Sequence, residues 1–178
     1  LEYNADTPTA LVEAAVVQWH WLKERFPDGD QFNSIHERLI DAWRNVASER
    51  VHFSGVGDLP EDAQTLAYLA DTCVQAGFSA EWTAINELGW DAGAARFVDR
   101  ADVPVEALFK LYPWEWLWHE PFAEHLTRAP NLFLEPAWKF LLSSKGLLPV
   151  LWELFPGHAN LLPAHESPGP FVDAAGVR

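Results

Sequence analysis

The sequence predicts an α/β fold, with a mostly parallel or mixed sheet flanked by helices. Short apolar segments rich in β-branched and aromatic residues alternate with longer segments whose apolar side chains recur every three or four positions. This alternation is typical of strands joined by crossover helices, a connection that makes neighbouring strands parallel. In such sheets, ligands bind beyond the carboxyl ends of the strands, so a binding site is expected at that edge.

The composition is that of a globular protein with a large core, because 49% of the 178 residues are hydrophobic. A net charge of -14 argues against nucleic acid as a partner and is compatible with a cationic substrate such as a polyamine. Cys73 is the single cysteine, so an internal disulfide is excluded and a cytoplasmic location is expected. No signal peptide is recognised, and no apolar run reaches the roughly 18 residues of a membrane span. The sequence contains no methionine, which fits a fragment.

Two amphipathic helices are predicted before the first strand. Thr7 is a suitable N-cap for the first helix, with Pro8 at its first position. One face of that helix is apolar at Leu11, Ala15, Trp19, Leu22 and Phe26. The second helix is expected from Gln31 to about Ser48, and its inward positions are Phe32, Ile35, Leu39, Trp43 and Val46.

The remaining elements are predicted from short apolar runs bounded by turn residues. The predicted strands are Val51–Ser54, Phe78–Ile85, Arg96–Val98, Val105–Leu111 and Asn131–Leu134. The predicted helical segments are Glu61–Ala76, Trp114–Leu126, Ala137–Leu142 and Leu147–Phe155. From His165 onward the chain is rich in proline and glycine and is expected to be a loop.

Lys145 is a candidate anion-binding residue. It follows Ser143 and Ser144, precedes Gly146, and leads into an apolar segment. A cation in a polar turn at the start of a buried segment meets a phosphate or carboxylate with little competition from solvent. The alternative is a solvated surface lysine, which the residues taken alone favour because most lysines are exposed.

Two acidic motifs are further candidates. Glu2 and Asn4 would point to the same side of a strand and offer oxygen ligands that suit Mg²⁺. The alternative is a pair of polar residues at a strand edge. Glu61 and Asp62 lie in the first turn of a predicted helix, as candidates for binding a positively charged group. The alternative is structural, because acidic side chains in a first turn interact favourably with the helix dipole without any ligand.

The longest motifs resemble the glutathionylspermidine synthase family of ATP-grasp ligases, and most of all its synthetase-only members. The motifs are EYNADTPT (2–9), DQFNSIHERLI (30–40), LGWD (88–91), FKLYPWEW (109–116) and LEPAWKFLLSSKGLLPVLWELFPGHANLLPA (134–164). The resemblance implies a partial synthetase domain, made of a pre-ATP-grasp domain plus the start of an ATP-grasp lobe. Residues 1–130 would form the substrate side, and residues 131–178 the first part of the nucleotide-binding region.

The resemblance also implies roles for individual residues. Glu2 and Asn4 match the ligands of the magnesium ions, and Lys145 matches a nucleotide-binding lysine. The matches to substrate-binding positions are Thr7, Glu61, Trp116 and Leu117, the last two through their backbone. The family has a pair of acidic residues near this point, and Pro60 occupies the position of one of them in this sequence. This departure puts a polyamine substrate in doubt.

The implied activity is an ATP- and Mg²⁺-dependent carbon–nitrogen ligase. It would join a glutathione-like peptide carboxylate to a polyamine-like amine through an acyl phosphate. The family's Arg-x-Asp pair before Glu2 and its second lysine after Arg178 fall outside this sequence, so little turnover is expected from the chain alone. The alternative is a non-catalytic peptide or amine binding module, which needs only the acidic surface and a tryptophan-lined pocket. Neither reading requires nucleic acid or membrane as a partner.

Overall fold

The computed structural model describes residues 5–7, 9–46, 48–56 and 59–167. The strands are β1 (Arg50–Gly55), β2 (Ser79–Trp82), β3 (Gly89–Asp91), β4 (Arg96–Val98), β5 (Ala107–Leu111) and β6 (Leu132–Leu134). The helices are α1 (Gln18–Arg25), α2 (Ile35–Trp43), α3 (Pro60–Gln75), α4 (Trp114–Leu117), α5 (Lys139–Ser143) and α6 (Leu147–Leu154). A π-helical turn over Glu13–Val17 leads into α1.

Four of the strands form one parallel sheet in the order β2-β1-β5-β6. The long crossover between β1 and β2 is α3, which packs against both strands. The remaining strands, β3 and β4, pair antiparallel as a separate hairpin. The predicted α/β class with a mostly parallel sheet flanked by helices is therefore confirmed.

The two faces of the sheet bury different side chains. Val51 and Phe53 of β1 and Phe109 of β5 face one core, which α2 and α3 cover. Within that core, the Trp43 ring meets Phe53 edge to face at 5.5 Å between centroids. The Trp43 indole N–H donates to Thr72 Oγ1 at 2.9 Å, so its polar atom is satisfied.

The opposite face carries polar residues among its apolar ones. His52 and Ser54 of β1 pair in register with Leu108 and Lys110 of β5, and all four side chains are buried. Around Leu108, this face packs against the β3–β4 hairpin and the α4 region, in a core built from Ile85, Leu88, Phe97, Val105, Trp114, Leu117, Phe122 and Leu126. Buried polar side chains on one face of a central sheet identify the face on which a site is expected.

Several element boundaries differ from the predictions. The first helical turn starts at Leu11, later than predicted from an N-cap at Thr7, and the backbone N–H groups of Ala5 and Asp6 are bound by Ser143 far along the chain. Phe32, predicted to face inward, is fully exposed, since α2 begins only at Ile35. The predicted helix over 114–126 is split into α4 and a single 3₁₀ turn at Ala123–His125. The strand β3 was not predicted.

Within the described residues, no helix combines the length and the apolar character that crossing a bilayer requires.

Candidate functional site

The centre of the sheet contains a topological switch point between β1 and β5. From β1 the chain crosses to β2 on one side, whereas β5 is followed by β6 on the other side. At such a point the connections leave in opposite directions and open a crevice at the carboxyl ends of the two strands. The end of β1 leads through Gly55 towards α3, and the end of β5 leads through Tyr112 and Pro113 into α4.

A buried ion pair lies beside this crevice. Lys110 in β5 is fully buried, and its Nζ contacts Oδ1 of Asp6, which is also buried. The other carboxylate oxygen of Asp6 accepts a hydrogen bond from the Trp114 backbone N–H at 2.8 Å. The Lys110 Nζ also lies 5.0 Å from the centroid of the Trp114 ring. These partners compensate the desolvation of two charges that would otherwise be costly to bury.

Burial lowers the pKa of Lys110, while the hydrogen bond and charge of Asp6 and the charge of Glu135 raise it. The direction that results is downward. The Asp6 carboxylate therefore offsets part of the effect of burial on the Lys110 pKa.

The segment that contains Asp6 is also bound to the C-terminal part of the chain. Ser143 Oγ accepts hydrogen bonds from the backbone N–H groups of Ala5 at 3.1 Å and of Asp6 at 3.0 Å. Ser143 is the last residue of α5 and stands two positions before Lys145. The structure therefore brings the chain next to Asn4 into direct contact with the segment next to Lys145.

Lys145 itself is exposed, in the turn between α5 and α6. The turn is closed by a hydrogen bond from the Gly146 N–H to Ser144 Oγ at 3.2 Å. Among the described residues, none forms an ion pair with Lys145, whereas Lys139 on α5 is paired with Glu135. An ammonium that has no ion-pair partner in the described part of the chain can bind a phosphate.

The predicted magnesium ligands Glu2 and Asn4 lie outside the described residues. Among the described residues, no group of three or more histidine, cysteine, aspartate or glutamate side chains is arranged to hold a metal ion.

The predicted substrate residues lie near the switch point. Glu61 is exposed in the first turn of α3, which begins at Pro60 after β1. Burial raises the pKa of its neighbour Asp62, and the negative charge of Glu61 raises it further. Two adjacent acids at the carboxyl end of a central strand provide a place for a positively charged group.

Trp116 and Leu117 lie together in α4, directly after β5. The N–H groups of both residues donate to Pro113 O, at 3.0 and 3.1 Å. Their carbonyl oxygens also accept backbone N–H groups within the chain, so the indole of Trp116, which is 53% exposed, is the part of these two residues that is open to a ligand. Leu117 is fully buried, and Thr7 is half-buried in the segment held by Ser143.

Asp6 and Lys110 were not predicted as site residues, although they lie in the motifs EYNADTPT and FKLYPWEW. A signal was present: Lys110 interrupts an otherwise apolar strand, where a lysine must find an anionic partner. The partner is 104 residues away in sequence, so only the folded chain identifies it.

Two cavities lie away from the switch point. One of about 490 Å³ lies beside α6, next to Trp152 and Glu153. The other, of about 300 Å³, is lined by Trp90, Glu120 and His125. Neither cavity is lined by a predicted site residue.

Comparison with known proteins identifies the family to which this chain is similar. The family described as "Glutathionylspermidine synthase preATP-grasp" matches residues 1–177. A Haemophilus influenzae protein named "Putative acid–amine ligase" is 48% identical over 174 residues, covering 94% of this chain and 44% of that protein. The bifunctional glutathionylspermidine synthetase/amidase of Escherichia coli is 29% identical, covering 90% of this chain and 30% of that protein.

A third relative is the trypanothione synthetase of Crithidia fasciculata, which is 26% identical over 92% of this chain and 29% of its own length. This chain thus spans less than half the length of each of these three relatives. The names of all three are those of ligases or synthetases. Since the family match extends over almost every residue, this chain belongs to the glutathionylspermidine synthase pre-ATP-grasp family.

Proposed function

We propose that this chain forms the peptide-binding side and one wall of the nucleotide site of an ATP-dependent carbon–nitrogen ligase. The reaction would join the carboxylate of a glutathione-like peptide to a polyamine-like amine through an acyl phosphate. The observation that carries the proposal is the pair of hydrogen bonds from Ala5 and Asp6 to Ser143 Oγ. They connect the chain that follows Glu2 and Asn4 with the chain that precedes Lys145, and all three residues are needed at one nucleotide.

In this proposal, bound ATP supplies the phosphoryl group that activates the carboxylate, with Mg²⁺ bridging its phosphates. Glu2 and Asn4 would provide oxygen ligands to Mg²⁺, the ligand type that this ion prefers. The exposed Lys145 ammonium would offset negative charge on the phosphates. Ser143 and the buried pair of Asp6 and Lys110 would hold these groups in place.

The substrate side would be the crevice at the switch point. Glu61, with Asp62 beside it, would attract the ammonium form of the amine and accept a proton before attack. Thr7, the exposed face of Trp116 and the backbone near Leu117 would contact the peptide. The acidic net charge of -14 supports a cationic co-substrate through long-range attraction.

Titration calorimetry with Mg²⁺-ADP tests the proposal. The chain should bind Mg²⁺-ADP, and Lys145→Ala should weaken binding about 10- to 100-fold, the value of one charge-assisted hydrogen bond. Lys139→Ala is the matched control, because it removes the same charge from the neighbouring helix at a lysine already paired with Glu135. Its affinity should stay within about twofold of wild type.

The same titrations separate the ligase from a non-catalytic binding module. A module would bind an amine such as spermidine but would show no Mg²⁺-dependent nucleotide site. Because the chain spans 44% of its Haemophilus relative, we also propose that it turns over little by itself. Robust phosphate release that depends on both ATP and amine would contradict that part of the proposal.

A further inference from the structure

The cavity of about 300 Å³ beside the β3–β4 hairpin is built by two parts of the chain that the fold brings together. One part is the segment 86–90, which reaches into β3. The other is the segment 120–125, which ends in the 3₁₀ turn Ala123–His125. This volume lies at the lower end of the range for small-molecule sites, so the cavity suits a small ligand.

The aromatic wall of the cavity is fixed by packing. The Trp90 ring stacks on His125, with 4.0 Å between the ring centroids and 4° between the planes. Trp90 also meets the buried Phe97 edge to face at 5.1 Å, across the ladder that pairs β3 with β4. Because these contacts hold the wall before any ligand binds, a ligand would lose little free energy in ordering it.

Glu120 gives the cavity a negative charge. Among the described residues that line the cavity, Glu120 is the only acid, and none is a lysine or an arginine. Its Oε1 accepts a hydrogen bond from the Tyr112 hydroxyl at 2.6 Å, which orients the carboxylate. That hydrogen bond, burial and the Glu120 charge raise the pKa of Tyr112 to about 12, so the hydroxyl keeps its proton.

The half-buried carboxylate of Glu120 therefore has a neutral partner and, across the described part of the chain, no basic residue paired with it. A partly desolvated carboxylate is stabilised by a cation that donates hydrogen bonds to it, and it repels an anion. The chemistry of the lining thus selects a ligand with a positive charge and an apolar part.

We propose that this cavity binds a small organic cation of the alkylammonium class. The ammonium would donate to the carboxylate of Glu120, and the alkyl part would pack against Leu88 and Trp90. The site is separate from the proposed amine subsite, because Glu61 and Asp62 lie in the first turn of α3 and do not line this cavity. The inference therefore does not rest on the proposed function.

NMR titration with butylammonium, followed at the indole N–H signal of Trp90, tests this binding. Butylammonium should shift the signal saturably, whereas butanol, which has the same chain without the charge, should bind at least about tenfold more weakly. Glu120→Gln keeps an acceptor for the Tyr112 hydroxyl and removes the charge. It should weaken butylammonium binding at least about tenfold and change butanol binding less than about twofold.

Glu124→Gln is the matched control, because it removes the same charge from an exposed residue of the adjacent 3₁₀ turn that does not line the cavity. The affinity for butylammonium should stay within about twofold of wild type. Glu61→Gln should also leave it unchanged. Loss of binding in Glu61→Gln, with full binding in Glu120→Gln, would move the ammonium to the end of β1 and overturn the inference.

A Trp90 signal that does not shift saturably with butylammonium would also overturn it, as would equal affinities for butylammonium and butanol. The comparison of these two ligands needs no variant, so it decides the matter even if Glu120→Gln failed to fold. None of these outcomes depends on Mg²⁺-ADP, so the proposed function stands or falls separately.

Discussion

Lys110 occupies a position in the central strand β5 at which both neighbours, Phe109 and Leu111, are buried apolar residues. Its ammonium is retained there because Asp6 supplies an opposite charge and Trp114 supplies a ring face. The carboxylate in turn receives a backbone N–H, so its two oxygens are both satisfied. A charged pair with this set of partners fixes where the N-terminal segment meets the sheet.

Removing one member of this pair should be more costly than removing both. We expect Asp6→Ala or Lys110→Met to lower the free energy of unfolding by about 3–5 kcal/mol, because each leaves an uncompensated buried charge. The double variant Asp6→Asn/Lys110→Met should recover at least half of that loss. Urea denaturation of the single and double variants measures the difference.

Lys139→Met provides the control for that experiment. The side chains of the Lys139–Glu135 pair are 25% and 27% exposed, against 0% and 7% for Lys110 and Asp6, so water screens this pair more and its loss should cost only about 1 kcal/mol. Equal destabilisation by Lys110→Met and Lys139→Met would contradict a special role for the buried pair.

The contacts of Asp99 predict how the free energy of unfolding changes at low pH. Burial alone would raise the pKa of its carboxyl, but hydrogen bonds from the N–H groups of Val103 and Ala101, with His52 beside it, bring the pKa below its usual value. The unfolded chain then binds a proton before the folded chain does, so this group stabilises the fold above its unfolded pKa of about 3.9. That contribution is lost as the pH falls through the folded pKa.

We therefore expect Asp99→Asn, which keeps an acceptor for both N–H groups, to flatten the acid limb of the stability curve. Below about pH 4, the wild-type free energy of unfolding should fall more steeply than that of the variant. Urea unfolding at several pH values between about 2 and 5 gives both slopes. Identical slopes would show that the Asp99 carboxyl gains nothing from these contacts.

At the level of elements, α3 approaches β1 closely because β1 ends in a glycine. A Cβ atom on Gly55 would lie 2.8 Å from Leu66 Cδ1 and 3.4 Å from Leu111 O. The first distance is well inside van der Waals contact, so any larger residue must displace the leucine. Gly55 thereby sets how closely Glu61, in the first turn of α3, lies to the end of β1.

Gly55→Ala should destabilise the chain by about 1–3 kcal/mol, the usual cost of overpacking a core. Leu66→Val removes the side-chain end that would clash, so the double variant should be less destabilised than the sum of the two single changes. Thermal unfolding followed by circular dichroism measures the change in stability of each single variant and of the double variant. Strict additivity of the two changes would contradict the predicted close approach.

The elements that were predicted well are those with strong local patterns. β1 and β5 are short strands buried on both faces, and α3 has regular apolar spacing, so they match their predicted ranges within two residues. β3 was not predicted because glycine and aspartate, here Gly89 and Asp91, are uncommon in strands. Its stability comes from Trp90, which stacks on His125 at 4.0 Å between ring centroids, a contact that no local pattern encodes.

At the scale of the whole molecule, the parallel sheet could be predicted from alternation, and the family from long motifs rich in tryptophan and proline. The contacts of Asp6 with Lys110 and of Ala5 with Ser143 could not be predicted, because each joins residues more than 100 positions apart. Asp6 is one polar residue among several in EYNADTPT until the fold places Lys110 beside it. The convergence of Glu2, Asn4 and Lys145 on one nucleotide stays a prediction. Its support is that Ala5, next to Asn4 in sequence, contacts Ser143, two positions before Lys145.

The most direct measurement of that convergence is paramagnetic broadening by Mn²⁺-ADP, in which Mn²⁺ replaces Mg²⁺. The account predicts that one bound ion broadens the amide signals of Ala5, Ser143 and Lys145 together and leaves the signal of Gln75, at the far end of α3, sharp. Mn²⁺-ADP that broadened the signal of Ala5 while the signal of Lys145 stayed sharp would place the predicted metal site and that lysine apart, and would contradict a single nucleotide site.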